Sequence, residues 1–187
     1  MFAYSLICLV SVAVAGLTFF SGFGLGTLLM PVFAIFFPVK IAIAATAAIH
    51  LANNIFKVLL AGRHANLKIV LLFAVPGALA AVFGAMLLNS LSALPPLASY
   101  VLWGRTHMVT VEKSVIALLI MIFAAIELTP SFKHLSFDLK LIPVGGLLSG
   151  FFGGLSGHQG ALRTAFLLRA GLDKNALIGT MVISAVV

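Results

Sequence analysis

The chain has 187 residues, 63% of them hydrophobic and 8% charged. This excludes a soluble domain, in which about a quarter of residues carry charge. The net charge of +7 comes from eleven Lys and Arg against four Asp and Glu; these cations cluster between apolar runs, as in loops that face the cytoplasm and anionic lipid, so no nucleic-acid partner is needed to account for them.

Apolar runs cover residues 2–39, 41–61, 69–89, 114–129, 141–168 and 175–187, each bounded by charge, Pro or Gly. They predict an all-α polytopic membrane protein, multi-pass in the cell inner (cytoplasmic) membrane. The first run, opening MFAYSLICLVSVAVAGLTFF, has no Lys or Arg before Lys40. It therefore lacks the basic region of a cleavable signal and reads as membrane helix. It is also too long for one ordinary span and carries SGFGLG in its middle, with Gly22, Gly24 and Gly26 as the candidate break. Its Cys8 is the single cysteine, so neither a disulfide framework nor a thiolate metal site is available.

In the second run, TAAIHLANNIFK sets Thr46, His50, Asn53, Asn54 and Lys57 three or four residues apart, which makes one stripe on a helix. Lipid is excluded as its neighbour, since a Lys at the helix centre costs about 2.5–3.5 kcal/mol on the lenient insertion scale. Two readings stand. Either the stripe lines a polar pathway, with Asn53 and Asn54 as neutral donors to a substrate oxygen and His50 as a proton carrier, or it makes helix-to-helix hydrogen bonds. Snorkelling to the interface is the favoured reading of Lys57.

After the third run, LSALPPLASYVLWG is too short and Pro-broken to span, and its Tyr100 and Trp103 suit the interface. A surface or half-inserted segment is expected there. The connections 62–68 and 130–140 hold Arg63, Lys68, Lys133 and Lys140, against Arg105 and Lys113 in 104–113, which favours the first two as cytoplasmic.

The fifth run contains GGLLSGFFGGLSGHQGALRTAFLLRAG, with seven glycines from Gly145 to Gly160. A helix broken in lipid leaves amides that must face a cavity, a ligand or other protein. If a helix restarts near Gly157, its free amides and dipole make an anion site, to which Ser156, His158, Gln159 and Arg163 add side chains. Gln159 and Arg163, four apart, share a face. Arg163 reads as a bidentate oxyanion clamp, with interfacial snorkelling as the competing role. Close packing between helices is the bland alternative for the glycines. The last run has only thirteen residues, short of the roughly 20 a span needs, so the chain is expected to be cut inside a helix.

Sliding the chain over itself by 134 residues aligns Gly16 with Gly150, Gly26 with Gly160, Lys40 with Lys174, Ala42 with Ala176 and Thr46 with Thr180. This predicts two homologous helical repeats with glycine-broken helices: 1–134 as the first repeat with its connecting helix, and 135–187 as the start of an incomplete second. Matched glycine-broken segments in two halves are the best sequence pointer to a transporter's binding site. If each broken run enters and turns back, Lys40 and Lys174 lie on opposite sides and the repeats are inverted; if each is one kinked helix, they are parallel. The inverted arrangement is favoured.

HExxH, GxSxG and Walker sequences are absent. The acids Glu112, Glu127, Asp138 and Asp173 sit at run ends, and the histidines lack metal-ligand spacing. No catalytic residue, metal or cofactor is expected.

The segments GFGLGTLLMPVFAIFFPVKIAIAATAAIHLANNIFK and GGLLSGFFGGLSGHQGALRTAFLLRAGLDKNALIGT resemble the sulfite exporter TauE/SafE family of bacterial membrane permeases. The resemblance covers essentially the whole chain and rests on the paired glycine motif, followed by Pro31 in the first half and by HQGALR in the second. It implies an inner-membrane transporter in two homologous halves that moves sulfur-containing anions such as sulfite or organosulfonates. A secondary transporter for a small anionic substrate, with the proton as candidate coupling ion, is therefore the favoured function. The rival is a non-transporting membrane subunit or an integral enzyme that uses His50 and His158.

Overall fold

The computed structural model of the protein describes residues 2–21, 25–102, 104–129, 137–168 and 170–186. Among them the helices are α1 (Phe2–Ser21), α2 (Leu25–Phe36), α3 (Val39–Ala61), α4 (Leu67–Ser92), α5 (Val111–Leu128), α6 (Ile142–Ser156), α7 (Gly160–Leu167) and α8 (Lys174–Ile183). The all-helical expectation misses one small element, a hairpin of β1 (Ala98–Leu102) and β2 (Arg105–Val109). It pairs antiparallel with Leu102 opposite Arg105, and Gly104 takes the positive φ of 72° that so short a turn requires. All of β1 is exposed, in line with the surface segment expected there. Trp103, expected at the interface, lies outside the described residues.

Three of these helical stretches, Val39–His64, Leu67–Ser92 and Leu139–Ser156, are long and apolar enough to cross a membrane. Large apolar side chains face outward along them, among them Leu59, Leu71 and Phe83. Lipid rather than water is the solvent such a surface fits.

The helices start where local chemistry lets them. Asn66, Thr110 and Asp173 accept hydrogen bonds from the first-turn amides of α4, α5 and α8, which satisfies groups that would otherwise lack a partner. Pro38 precedes α3 and Pro143 sits in the first turn of α6, where a missing N–H costs nothing.

The tightest packing joins α4 to α6. A Cβ added at Gly146 would collide with the Phe73 carbonyl, one at Gly150 with that of Gly77, and one at Gly154 with that of Ala81. Both series climb by four residues together, so α4 and α6 run parallel with their backbones in contact, the small-residue packing that lipid-embedded helices use in place of a hydrophobic driving force. Two parallel neighbours require α5 to cross back between them, although it carries Glu112, Lys113 and Glu127. The connections before α4 and before α6 therefore share one face of the membrane, and the β hairpin lies on the other. That grouping is the one the basic residues suggested.

The fifth apolar run enters and turns back. Phe166, on α7, stacks on Phe137 at 4.2 Å and lies where a Cβ on Gly145 would fall, so the end of α7 is level with the start of α6. In the first run, Val14 of α1 belongs to one buried cluster with Leu29 and Phe33 of α2 and Ala42 of α3. Fifteen or more residues of continuous helix would separate Val14 from α2's members by over about 20 Å, so α2 folds back on α1.

Lys40, at the start of α3, donates to the Asn89 side chain at 2.7 Å near the end of α4. Leu172 and Leu177, flanking the start of α8, pack with Ile69 and Phe73 near the beginning of α4. Lys40 and Lys174 thus sit at opposite ends of α4.

Candidate functional site

The glycines of the fifth run divide by role. Gly145, Gly146, Gly150 and Gly154 permit close packing, the bland alternative, whereas Gly157 makes the break. Its φ of 77° is left-handed, nothing crowds its Cβ position, and its N–H closes α6 on the Gly153 carbonyl at 2.8 Å. A left-handed residue ends a helix by turning the chain out of it. His158 and Gln159 then run back beside α6, where the Ser149 hydroxyl donates to the Gln159 carbonyl at 3.1 Å. With α7 restarting at Gly160, the Arg163 N–H donates to the Gln159 carbonyl at 3.0 Å, and the amides of Gly160, Ala161 and Leu162 before it have no intrahelical acceptors.

The two predicted breaks meet. A Cβ on Gly26, in the first turn of α2, would lie 2.5 Å from the Gly157 carbonyl oxygen, so only glycine fits there. Gly22 and Gly24, the other two residues assigned to the first break, lie outside the described residues.

His158 is buried and its ring stacks on Phe123 of α5, with centroids 5.6 Å apart and planes 6° apart. Its Nδ1 lies 2.8 Å from the Ser156 carbonyl. A carbonyl can only accept, so Nδ1 carries the proton and the neutral ring keeps its lone pair on Nε2. That Nε2 has no hydrogen-bond partner among the described residues. Ser156 is fully buried, with its hydroxyl donating to the Phe152 carbonyl at 2.9 Å and near Nδ1 of His158, so it supports the ring.

The stripe on α3 also divides. His50 is half-buried and lines a cavity of about 300 Å³ between α3, α4, α6 and the segment after α8, together with Thr46, Gly77, Gly150, Gly157 and Gln159. Asn54 lines no described cavity. Its amide nitrogen sits 2.7 Å from Nδ1 of His50 and 2.8 Å from the His50 carbonyl. One amide hydrogen for each leaves Nδ1 as the acceptor and puts the ring proton on Nε2. Thr46 donates to its own helix at the Ala42 carbonyl. Asn53 and Lys57 are half-buried and line neither described cavity, although Lys57 lies within electrostatic reach of His50.

Arg163, in the first turn of α7, is 4% exposed. Its Nε and Nη1 have no hydrogen-bond partner among the described residues. It lines neither cavity wall, but with His158 and Lys57 it acts electrostatically on His50. Burial of Nε and Nη1 is not the arrangement of a side chain that reaches out to the interface. Arg169, the comparison residue for that reading, lies outside the described residues.

A second, smaller cavity of about 10 Å³, room for about one water, lies where Thr27, His50, Glu127, Gly157, His158 and Gln159 converge. Three of its walls escaped the sequence reading. Phe123 and Glu127 are four apart on α5, one face of that helix, but an acid at the end of an apolar run looks interfacial until the neighbouring break is placed beside it. Thr27 was hidden among apolar residues next to Gly26.

These parts can hold a small anion: amides at a helix start that lack intrahelical acceptors, a buried guanidinium, and an imidazole N–H from His50. The model of one protein family, described as Sulfite exporter TauE/SafE, matches residues 7–187. No curated protein and no solved structure matches the chain.

Proposed function

The chain belongs to the sulfite exporter TauE/SafE family, a family of membrane transporters, and from that premise we propose that it carries small sulfur-containing anions such as sulfite or organosulfonates. The binding site in this reading is the seam where the two broken helices touch, formed by Gly26, His50, Ser156, Gly157, His158, Gln159 and Arg163, with Asn53 and Asn54 on the adjoining stripe.

One observation carries the proposal: Arg163 is buried with two guanidinium nitrogens unpartnered among the described residues. An uncompensated buried charge costs several kcal/mol, roughly, even after relaxation, so a fold that keeps one beside a helix start is built to meet a negative charge. Sulfite and sulfonates carry several oxygens on one sulfur, two of which a guanidinium fork binds as a pair. Beside this seam the cavity of about 300 Å³ lined by His50, Gly157 and Gln159 has room for an organosulfonate.

The same reading takes the halves as inverted repeats. Val39 and Lys174 start corresponding helices 135 residues apart, within one residue of the 134-residue register of the sequence. Lys40 and Lys174 lie at opposite ends of α4, which supports inversion. The basic connections favour the cytoplasmic side for the start of α4, and the inner membrane is the one this reading takes.

The test is counterflow of labelled sulfite and of a labelled organosulfonate in vesicles that contain the purified protein, with chloride and a small organic cation as comparison solutes. Exchange of the sulfur anions above empty vesicles is expected. Equal exchange of all solutes, or of none, sinks the proposal.

A further inference from the structure

We propose that Glu127 is the proton-carrying carboxylate that couples anion movement to a pH gradient, acting at the small cavity where α2, α3, α5 and the second break converge. The inference rests on the transporter reading and adds to it the coupling ion and the residue that binds it.

The geometry is that of a proton site. Glu127 shares a cavity of about 10 Å³ with His50, His158 and Gln159, which leaves room for about one water among these side chains. The two rings present opposite chemistry. His50 holds its proton on Nε2, since Asn54 occupies Nδ1; His158 holds its proton on Nδ1 against the Ser156 carbonyl, leaving a buried Nε2 lone pair that meets no partner among the described residues. A donor, an acceptor and a carboxylate around one water-sized space form a path along which a proton moves without crossing lipid.

Charges facing the site come from several helices. Lys57 on α3 and Arg163 on α7 act on His50; α2 contributes only the neutral Thr27, and α4 has Lys68 as its sole charged residue, in the first turn and exposed. Glu127 is the one acid among the residues that line the cavity. With the carboxylate ionised, it offsets part of this positive field; with a proton bound, the field is free to hold an incoming anion. The proton binds the carboxylate oxygen when the anion loads and leaves it when the anion is released, so a singly charged anion and its proton move as a neutral pair.

Thr27 ties this step to conformation. It lines the same cavity as Glu127, where its hydroxyl is placed to donate to the carboxylate, and it follows Gly26, which sits against the Gly157 carbonyl. An ionised carboxylate accepts from that hydroxyl, whereas a protonated one competes as a donor. Proton loading therefore changes the bond that holds α2 where the two breaks touch.

The experiment compares, in vesicles containing the full chain, sulfite uptake driven by an imposed pH gradient with sulfite counterflow at equal pH on both sides. In Glu127→Gln the ratio of gradient-driven uptake to counterflow should fall at least tenfold, with partial recovery in Glu127→Asp. A second variant needs no change at the carboxylate: Thr27→Val removes a donor to the ionised form. It should move the pH of half-maximal gradient-driven uptake upward by about half a unit to one unit, the equivalent of one hydrogen bond. An unchanged ratio in Glu127→Gln, or a parent whose uptake ignores the pH gradient, overturns the inference while leaving anion transport intact. A parent without sulfite counterflow overturns the transporter reading, and this inference falls with it.

Discussion

Asn54 decides which nitrogen of His50 carries the proton. Its side-chain nitrogen lies 2.7 Å from Nδ1 of His50 and 2.8 Å from the His50 carbonyl, so the ring that lines both cavities carries its proton on Nε2 and has an N–H, not a second lone pair, to offer. For an anion site this is the useful tautomer, since a lone pair would repel the ligand.

The prediction follows from the donor count. Asn54→Asp replaces a donor with an acceptor, so Nδ1 takes the proton and Nε2 loses it. Sulfite affinity in counterflow should weaken about tenfold, the equivalent of one hydrogen bond to a charged group. Nitrogen NMR of labelled histidine should show the neutral tautomer exchanged. An Asn54→Asp protein with the parent's tautomer and affinity would refute the assignment.

The ladder between α4 and α6 predicts stability rather than activity. Gly150→Ala puts a methyl group onto the Gly77 carbonyl, a backbone neighbour that cannot rotate away, so the helices must separate. A loss of about 1–3 kcal/mol is expected, the usual cost of overpacking, seen as a lower unfolding temperature in detergent. Gly16→Ala is the control, because nothing lies within 4 Å of its Cβ position. Equal melting of both variants would mean that the close approach contributes nothing.

Much of this architecture was legible in the sequence because its signals are local. Apolar runs, the break at Gly157 and the start of α7 follow from composition and from glycine's freedom of φ. The partner of each glycine was not legible, since Gly77 and Ala81 acquire their meaning only when α6 lies against them. The stripe on α3 was read as one surface, yet Asn54 serves His50 while His50 serves the cavities; spacing shows which residues share a face, not which one bonds to its neighbour. Glu127 was passed over because its position at a helix end says nothing about the break packed beside it. The β hairpin was missed for a similar reason: Pro95 and Pro96 signalled an interruption, and pairing across Gly104 is a contact rather than a pattern.

The proposed inversion of the two halves predicts the placement of two lysines. Lys40 bonds near the end of α4, and the start of α8 packs near its beginning, so tags inserted beside residues 40 and 174 should report opposite compartments. Lys174 should be on the cytoplasmic side, with the basic connections before α4 and α6. Tags on the same side would contradict both the inversion and the parallel packing from which the crossing of α5 is deduced.

The sharpest prediction concerns Arg163. The residues 134 and 135 positions before it, Leu29 and Leu28, are both apolar, so the architecture proposed for both halves makes no demand for a charge at this place. Packing does not demand it either, since Nε and Nη1 bond to nothing among the described residues. A helix start supplies only about half a unit of positive charge, too little for an anion that must leave water, and the guanidinium supplies the rest. Arg163→Ala should therefore insert and fold as well as the parent, or better, because a buried cation without compensation is removed. It should nevertheless lose sulfite counterflow by a factor of at least about a hundred, the equivalent of a charge-assisted pair. Arg163→Lys should recover only part, since an ammonium lacks the planar fork. If Arg163→Ala exchanges sulfite like the parent at matched protein levels, the anion does not meet this residue, and the donors must be sought at His50 and along the stripe that continues to Asn53.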